Sequence, residues 1–287
     1  MVGIDQQLDG NISDGLYAAN NPSTSNPIAT MADVGEGIPF FADERQYVQI
    51  TNFDTGSLPV GWSGSVSGAG STVVYTQVSE SGISPGMALA TLGTATNARV
   101  SLVTGSGFQY MPSLIDAIES VYFCQARWNG VPSPTNCVQI LGWINRNAFT
   151  PLSAMGNALA IMRDPNNASG FNPGLITNLF LIARSTYNGP TANTIVDLGV
   201  PYDNVTWRSY KIVYDNVLSE VRVYRDNVLL TTLTNMANVP GGSVRGVIPP
   251  AATNGLQAGF YLGNAAAAPA TGSAIRIAKV TVFKRYS

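Results

Sequence analysis

Residues 206–235, TWRSYKIVYDNVLSEVRVYRDNVLLTTLTN, hold the feature that most constrains the fold. Tyr210, Ile212 and Tyr214 recur at every second position, while Arg208 and Lys211 mark wetter positions. Val221 and Val223 then share one parity, and Arg222 and Tyr224 the other. A period of two belongs to a half-buried strand, because successive side chains leave opposite faces of the backbone. Asp226-Asn227 lies between Arg225 and Val228 with β-formers on both sides. Asp and Asn tolerate positive φ, so this pair predicts a two-residue hairpin turn. A longer turn at 215–219 joins the first two strands. Three antiparallel strands in a row need a second layer to bury their apolar face.

The rest of the chain supplies that layer. Short β candidates fall at 47–54, 61–67, 73–78, 87–92, 98–104, 120–128, 138–145, 158–162, 179–185, 194–200, 256–262 and 274–284, with Gly, Ser, Pro and Thr between them. Leu179-Phe-Leu-Ile-Ala183 is apolar on both parities and reads as a central strand. In the final strand the apolar parity changes between Ile277 and Val280, which predicts a β-bulge near Ala278-Lys279. Only 112–118 offers a helical turn, with Ser113 or Asp116 as cap. Many short strands without intervening helices predict an all-β antiparallel sandwich over 46–287. A chain of 287 residues can bury a sizeable core as one such unit.

The meander carries a resemblance. A Trp-led strand ending in Tyr-Asp, a short turn, Val-x-Val-Tyr-x-Asp-Asn and an apolar strand resemble the centre of concanavalin A-like lectin/glucanase domains. Gly259-Phe-Tyr-Leu-Gly263, a small-residue loop and Ile275-Arg-Ile-Ala-Lys-Val-Thr-Val-Phe283 resemble their last two strands. The resemblance spans 47–287 and implies a jelly-roll body.

Charged residues make up 11% of the chain, against about 25% in ordinary globular proteins. A largely uncharged surface suits a protein held in an assembly. Net charge is −2 and the basic residues are scattered, which argues against nucleic acid. No apolar run is long enough to span a bilayer, so no membrane partner is expected. The start, MVGIDQQLDGNISDG, does not read as a signal peptide. Cys124 and Cys137 flank a loop read as a hairpin, in a register that disfavours a bridge, so buried free thiols are expected.

Residues 1–45 differ in kind. They are polar, punctuated by Pro22, Pro27 and Pro39, and poor in strand formers, which predicts an extended N-terminal arm and linker. Asn21-Pro-Ser-Thr-Ser-Asn-Pro-Ile-Ala-Thr30 resembles N-terminal segments of tailed-bacteriophage fibre and head-decoration proteins, with Ile28 where an aromatic is more usual. That resemblance implies anchoring to other virion proteins, capsid or tail subunits. Asn21, Pro22, Asn26, Pro27, Ile28, Met31, Phe40 and Phe41 are the expected anchoring residues. A homo-oligomer is expected, with a trimer among the candidates, located in the virion.

Chemistry is sparse. The resemblance implies a Glu-x-Asp-x-Glu strand in the enzymes, and this chain has none. Asp116 and Glu119 come nearest, but three-residue spacing puts them on opposite faces of a strand. The chain has no histidine, which removes the usual triads and most zinc sites. No enzyme activity, cofactor or metal is expected. Trp62, Trp128, Trp143 and Trp207, with Tyr187, are the candidate sugar-stacking faces, and 164–172 and 187–189 are loops suited to turns, calcium or sugar. The sequence thus reads as a non-enzymatic virion protein displaying a lectin-like sandwich. Two alternatives stay open: a carbohydrate-binding module or adhesin of a secreted or cell-surface protein, and a divergent glycoside-active enzyme.

Overall fold

A computed structural model of the protein describes residues 46–53, 56–76, 87–96, 98–104, 117–130, 137–144, 157–167, 169–170, 172, 176–185, 192–234, 256–264 and 273–286. The anchoring residues between Asn21 and Phe41 lie outside them, as do Asp116 and Tyr187. The described residues form fifteen strands in two antiparallel sheets and contain no helix.

The first sheet contains β1 (Gln46–Asn52), β3 (Thr72–Thr76), β4 (Met87–Leu92), β6 (Ala117–Gly130), β11 (Arg208–Asp215), β12 (Glu220–Arg225), β13 (Val228–Leu233) and β15 (Ser273–Tyr286). Its order is β13-β12-β11-β6-β15-β4-β3, with β1 also paired to β15. The second contains β2 (Trp62–Ser67), β5 (Arg99–Thr104), β7 (Cys137–Ile144), β8 (Ala158–Arg163), β9 (Phe180–Ser185), β10 (Ala192–Asp197) and β14 (Gln257–Asn264), in the order β10-β9-β8-β7-β14-β5-β2.

The expected meander is present in β11, β12 and β13. Asp226 and Asn227 sit at φ 51° and 63°, the two positive values that a type I′ turn needs. The predicted bulge is present too, as a register shift in β15 between Ile277 and Lys279. It moves Val280 and Val282 onto the parity that faces the core.

That core lies between the sheets. Tyr122, Trp128, Tyr210 and Tyr214 from the first sheet meet Leu141, Trp143 and Phe260 from the second. Trp128 Nε1 donates to the Tyr210 hydroxyl at 2.8 Å, so two buried polar tips satisfy each other. Burying each apolar side chain of this size contributes about 1.5–3 kcal/mol. A second apolar layer, with Ile140, Met162, Phe180 and Ile182, lies on the outer face of the second sheet. This is why β7, β8 and β14 are buried on both parities.

Two readings need correction. Cys124 and Cys137 do not flank a hairpin: β6 belongs to the first sheet and β7 to the second, so the chain crosses between layers there. Both thiols are free and buried, as expected. Of the proposed helical turn at 112–118, residues 117–118 belong to β6 and the rest lie outside the described residues.

Candidate functional site

The outer face of the eight-stranded sheet gathers polar and aromatic side chains from separate parts of the chain. On β6, Tyr122, Cys124, Ala126 and Trp128 point into the core, so Glu119, Val121, Phe123, Gln125 and Arg127 take the outer parity. On β11, Tyr210, Ile212 and Tyr214 point inward, leaving Lys211, Val213 and Asp215 outward. Register then builds rows across strands. Asp215 lies opposite Glu119, which lies opposite Arg285; Lys211 lies opposite both Phe123 and Tyr224.

At one end of this face Arg222 gathers three carboxylates. Its Nη2 lies 3.2 Å from Asp215 Oδ2 and 3.8 Å from Glu119 Oε2, and its Nε lies 3.0 Å from Glu220 Oε1. Asp215 is fixed further, because its Oδ1 accepts the backbone N–H groups of Val217 and Leu218 at 3.0 and 2.9 Å. Burial raises the Glu119 carboxyl above the ordinary glutamate range, and the Asp215 carboxylate adds to that; Arg285 and Arg222 offset part of it. Cross-strand neighbours such as Glu119 and Asp215 have Cβ atoms roughly 4.5–5.5 Å apart.

Aromatic rings occupy the middle and the other end. Lys211 Nζ stands 4.5 Å from the centroid of the half-buried Tyr224 ring, and burial lowers its pKa. The Arg127 guanidinium carbon lies 5.6 Å from the centroid of the half-buried Trp207 ring. Val121, Val213 and Phe283 form a buried apolar patch between the carboxylate cluster and Lys211.

The other tryptophans do not reach a surface, which corrects the expectation of stacking faces. Trp62 is buried, donates Nε1 to Thr51 Oγ1 at 2.9 Å and meets Phe53 edge-on. Trp128 is fully buried against Tyr210, and Trp143 packs 5.9 Å from Tyr122 between ring centroids. Among the four, Trp207 alone lies on the outer parity, at the start of the meander. The strand around Trp143 is buried on both parities, so alternation there gives no sign of which way its ring points.

The 164–172 loop reads as a self-satisfied turn. Asp164 Oδ2 accepts from the Ser169 N–H at 2.9 Å and from its hydroxyl. Asn172 Nδ2 donates to the carbonyls of Asp164 and Ile176 at 2.7 and 3.0 Å. Asn167 and Gly170 take φ of 53° and 75° to close it. Among the described residues, no group of three or more His, Cys, Asp or Glu side chains is placed to hold a metal ion.

No protein-family model matches the chain, and no curated protein matches it. Solved structures do share its fold. An endo-1,3-β-glucanase from Streptomyces sioyaensis superposes with a TM-score of 0.51 at 12% identity, over 88% of this chain and 100% of that one. An endo-β-1,4-glucuronan lyase from the fungus Trichoderma reesei gives 0.50 at 11% identity, over 82% and 94%. The carbohydrate recognition domain of Emp47p gives 0.49 at 15% identity, over 83% and 95%. The first two of these superpositions give the chain the concanavalin A-like lectin/glucanase fold. The expectation of no enzyme activity does not stand. The same fold carries a glucanase and a lyase, so the fold speaks against a firm exclusion of activity. Here carboxylates distant in sequence, Glu119 and Asp215, come together by strand pairing.

Proposed function

We propose that this chain is a carbohydrate-recognising β-sandwich whose glycan lies on the outer face of the eight-stranded sheet. The observation that carries the reading is the pairing of half-buried Trp207 and Tyr224 rings with Arg127 and Lys211 on the same face as the Glu119–Asp215–Arg222 cluster. Sugar rings offer apolar C–H faces to aromatic side chains, and their hydroxyls bond well to fixed charged groups. The glucanase and the glucuronan lyase, both named for acting on glycans, support this by fold.

Titration of the protein with β-1,3-gluco-oligosaccharides and with a broad glycan array tests it. Binding should appear, and Trp207→Ala should weaken it about tenfold, the equivalent of a stacking contact near 1.4 kcal/mol. Binding that is unchanged in Trp207→Ala and Tyr224→Ala places the glycan elsewhere. Release of reducing ends, or of unsaturated ends from uronate polymers, in the same mixtures decides whether turnover follows binding.

The sequence supports a second, finer reading: the sandwich is displayed on a tailed-phage virion, anchored by residues 1–45 as a homo-oligomer. Its support is the phrase from Asn21 to Thr30 and the low charge content. Deletion of residues 1–42 should leave a folded body that no longer joins the particle. Incorporation at full occupancy refutes the anchor.

A further inference from the structure

Arg163 ends β8 on the parity of Leu159 and Ile161, which point into the core between the sheets. It is only 1% exposed. Its guanidinium carbon lies 3.8 Å from the centroid of the Tyr202 ring, so the cation is stacked on that ring. Nε, Nη1 and Nη2 have no hydrogen-bond acceptor. Stacking on an aromatic face attracts the cation, but it gives no acceptor to its N–H groups. A guanidinium cannot shed its proton at any ordinary pH, so this charge cannot be neutralised from within.

The carboxylates closest in sequence to Arg163 and Tyr202 are engaged elsewhere. Asp164 serves Ser169, and Asp203 pairs with Arg208 Nη2 at 2.9 Å. Asp197 accepts from the Gly199 N–H at 2.8 Å. A buried cation without a counter-charge is among the costliest groups a fold can carry. Tyr202 is half-buried, and it lies in a segment whose Pro201, Asn204 and Val205 are exposed. The Tyr202 ring lies between the guanidinium and these exposed residues.

We infer that Arg163 is the anchor of an inter-sheet anion site under Tyr202, and that its ligand is a carboxylate. Ring stacking leaves the planar edge of the guanidinium free, and that fork matches two carboxylate oxygens side by side. The carboxylate can be free or borne by an acidic sugar. The site lies between the sheets, so it is separate from the glycan face proposed above and does not depend on it.

Thermal melts and calorimetric titration of the full chain test this, with sodium acetate, sodium glucuronate, glucose and sodium chloride at matched ionic strength. Acetate and glucuronate should raise Tm by about 3–6 °C at a concentration tenfold above Kd, and glucose should not. Equal shifts identify a pocket for the carboxylate alone; a larger shift with glucuronate identifies a uronate pocket. Chloride matching acetate overturns carboxylate selectivity, and no shift with either carboxylate overturns the site. Arg163→Met should abolish the shift. Without carboxylate it should melt at or above the wild-type temperature, since it removes an unpaired buried charge. Tyr202→Ala keeps the arginine and uncovers it, so carboxylate should still stabilise this variant. An Arg163→Met protein that melts well below wild type in chloride alone refutes the unpaired charge, and with it the inference.

Discussion

The hydroxyl of Tyr122, on β6 in one sheet, donates to the carbonyl oxygen of Gly259, on β14 in the other, at 2.9 Å. It is a polar tie across the interlayer between the two sheets. Tyr122→Phe keeps the ring and removes the tie. It should cost about 1 kcal/mol, read as a lower urea midpoint with unchanged slope.

Gly142 pairs with Gly259 across β7 and β14 and sits at φ 142°. A Cβ there would lie 2.7 Å from the Ala160 Cα and 2.7 Å from the Leu159 carbonyl oxygen, both backbone atoms that cannot swing away. Gly142→Ala should destabilise by about 3 kcal/mol or prevent folding. Gly170→Ala is the control: its φ is 75°, but nothing lies within 4 Å of the added carbon. It should cost only about 1–2 kcal/mol. Equal losses in the two variants would show that backbone strain, and not the clash, dominates.

Burial pushes the Cys124 thiol up to about 12, and Cys137 is buried as well. The thiolate is the reactive form, so neither should react with an aromatic disulfide reagent in native protein at pH 8. Both should react at once in guanidinium chloride. Fast labelling of native protein would show that the interlayer opens on the assay timescale.

Glu119 has its folded-state pKa raised, mainly by burial. The unfolded chain ionises first as pH rises, so this carboxyl costs stability above its folded pKa and costs nothing below its unfolded one. Glu119→Gln should therefore raise Tm at pH 7, with the gain fading as pH falls below the usual glutamate range. Scanning calorimetry at several pH values reads this directly. A loss at pH 7 would mean that the attraction of the Arg222 and Arg285 charges outweighs desolvation.

Local signals were the legible part of this fold. Asp226-Asn227 announced its turn because few residues accept two successive positive φ values. The bulge between Ile277 and Lys279 showed as a break in parity. Sheet membership was not legible. β6 and β7 are both rich in apolar residues on each parity, so nothing local said that Cys124 and Cys137 belong to different layers. For the same reason Trp143 reads as a surface candidate although it is fully buried, whereas Gln125 and Arg127 mark the parity opposite the equally buried Trp128. Two of the three carboxylates around Arg222 could be foreseen together, since Asp215 and Glu220 flank one predicted turn. Glu119 joins them only through pairing of β11 with β6, which a linear pattern does not encode.

The last strand has a consequence for how the chain reaches this state. β15 lies against β6 along nearly its whole length, while β4 takes the other edge of its first half and β1 that of its second half. Until residue 285 has left the ribosome, β1 and β4 have no hydrogen-bonding neighbour to join them to β6. The eight-stranded sheet therefore closes only once β15 has emerged, by pairings between segments far apart along the chain. Such long-range closure is slow, and it leaves the edges of β6 and β4 open to other chains meanwhile. Yield at high expression rates should be limited by this waiting period and should recover when translation is slowed or the temperature lowered.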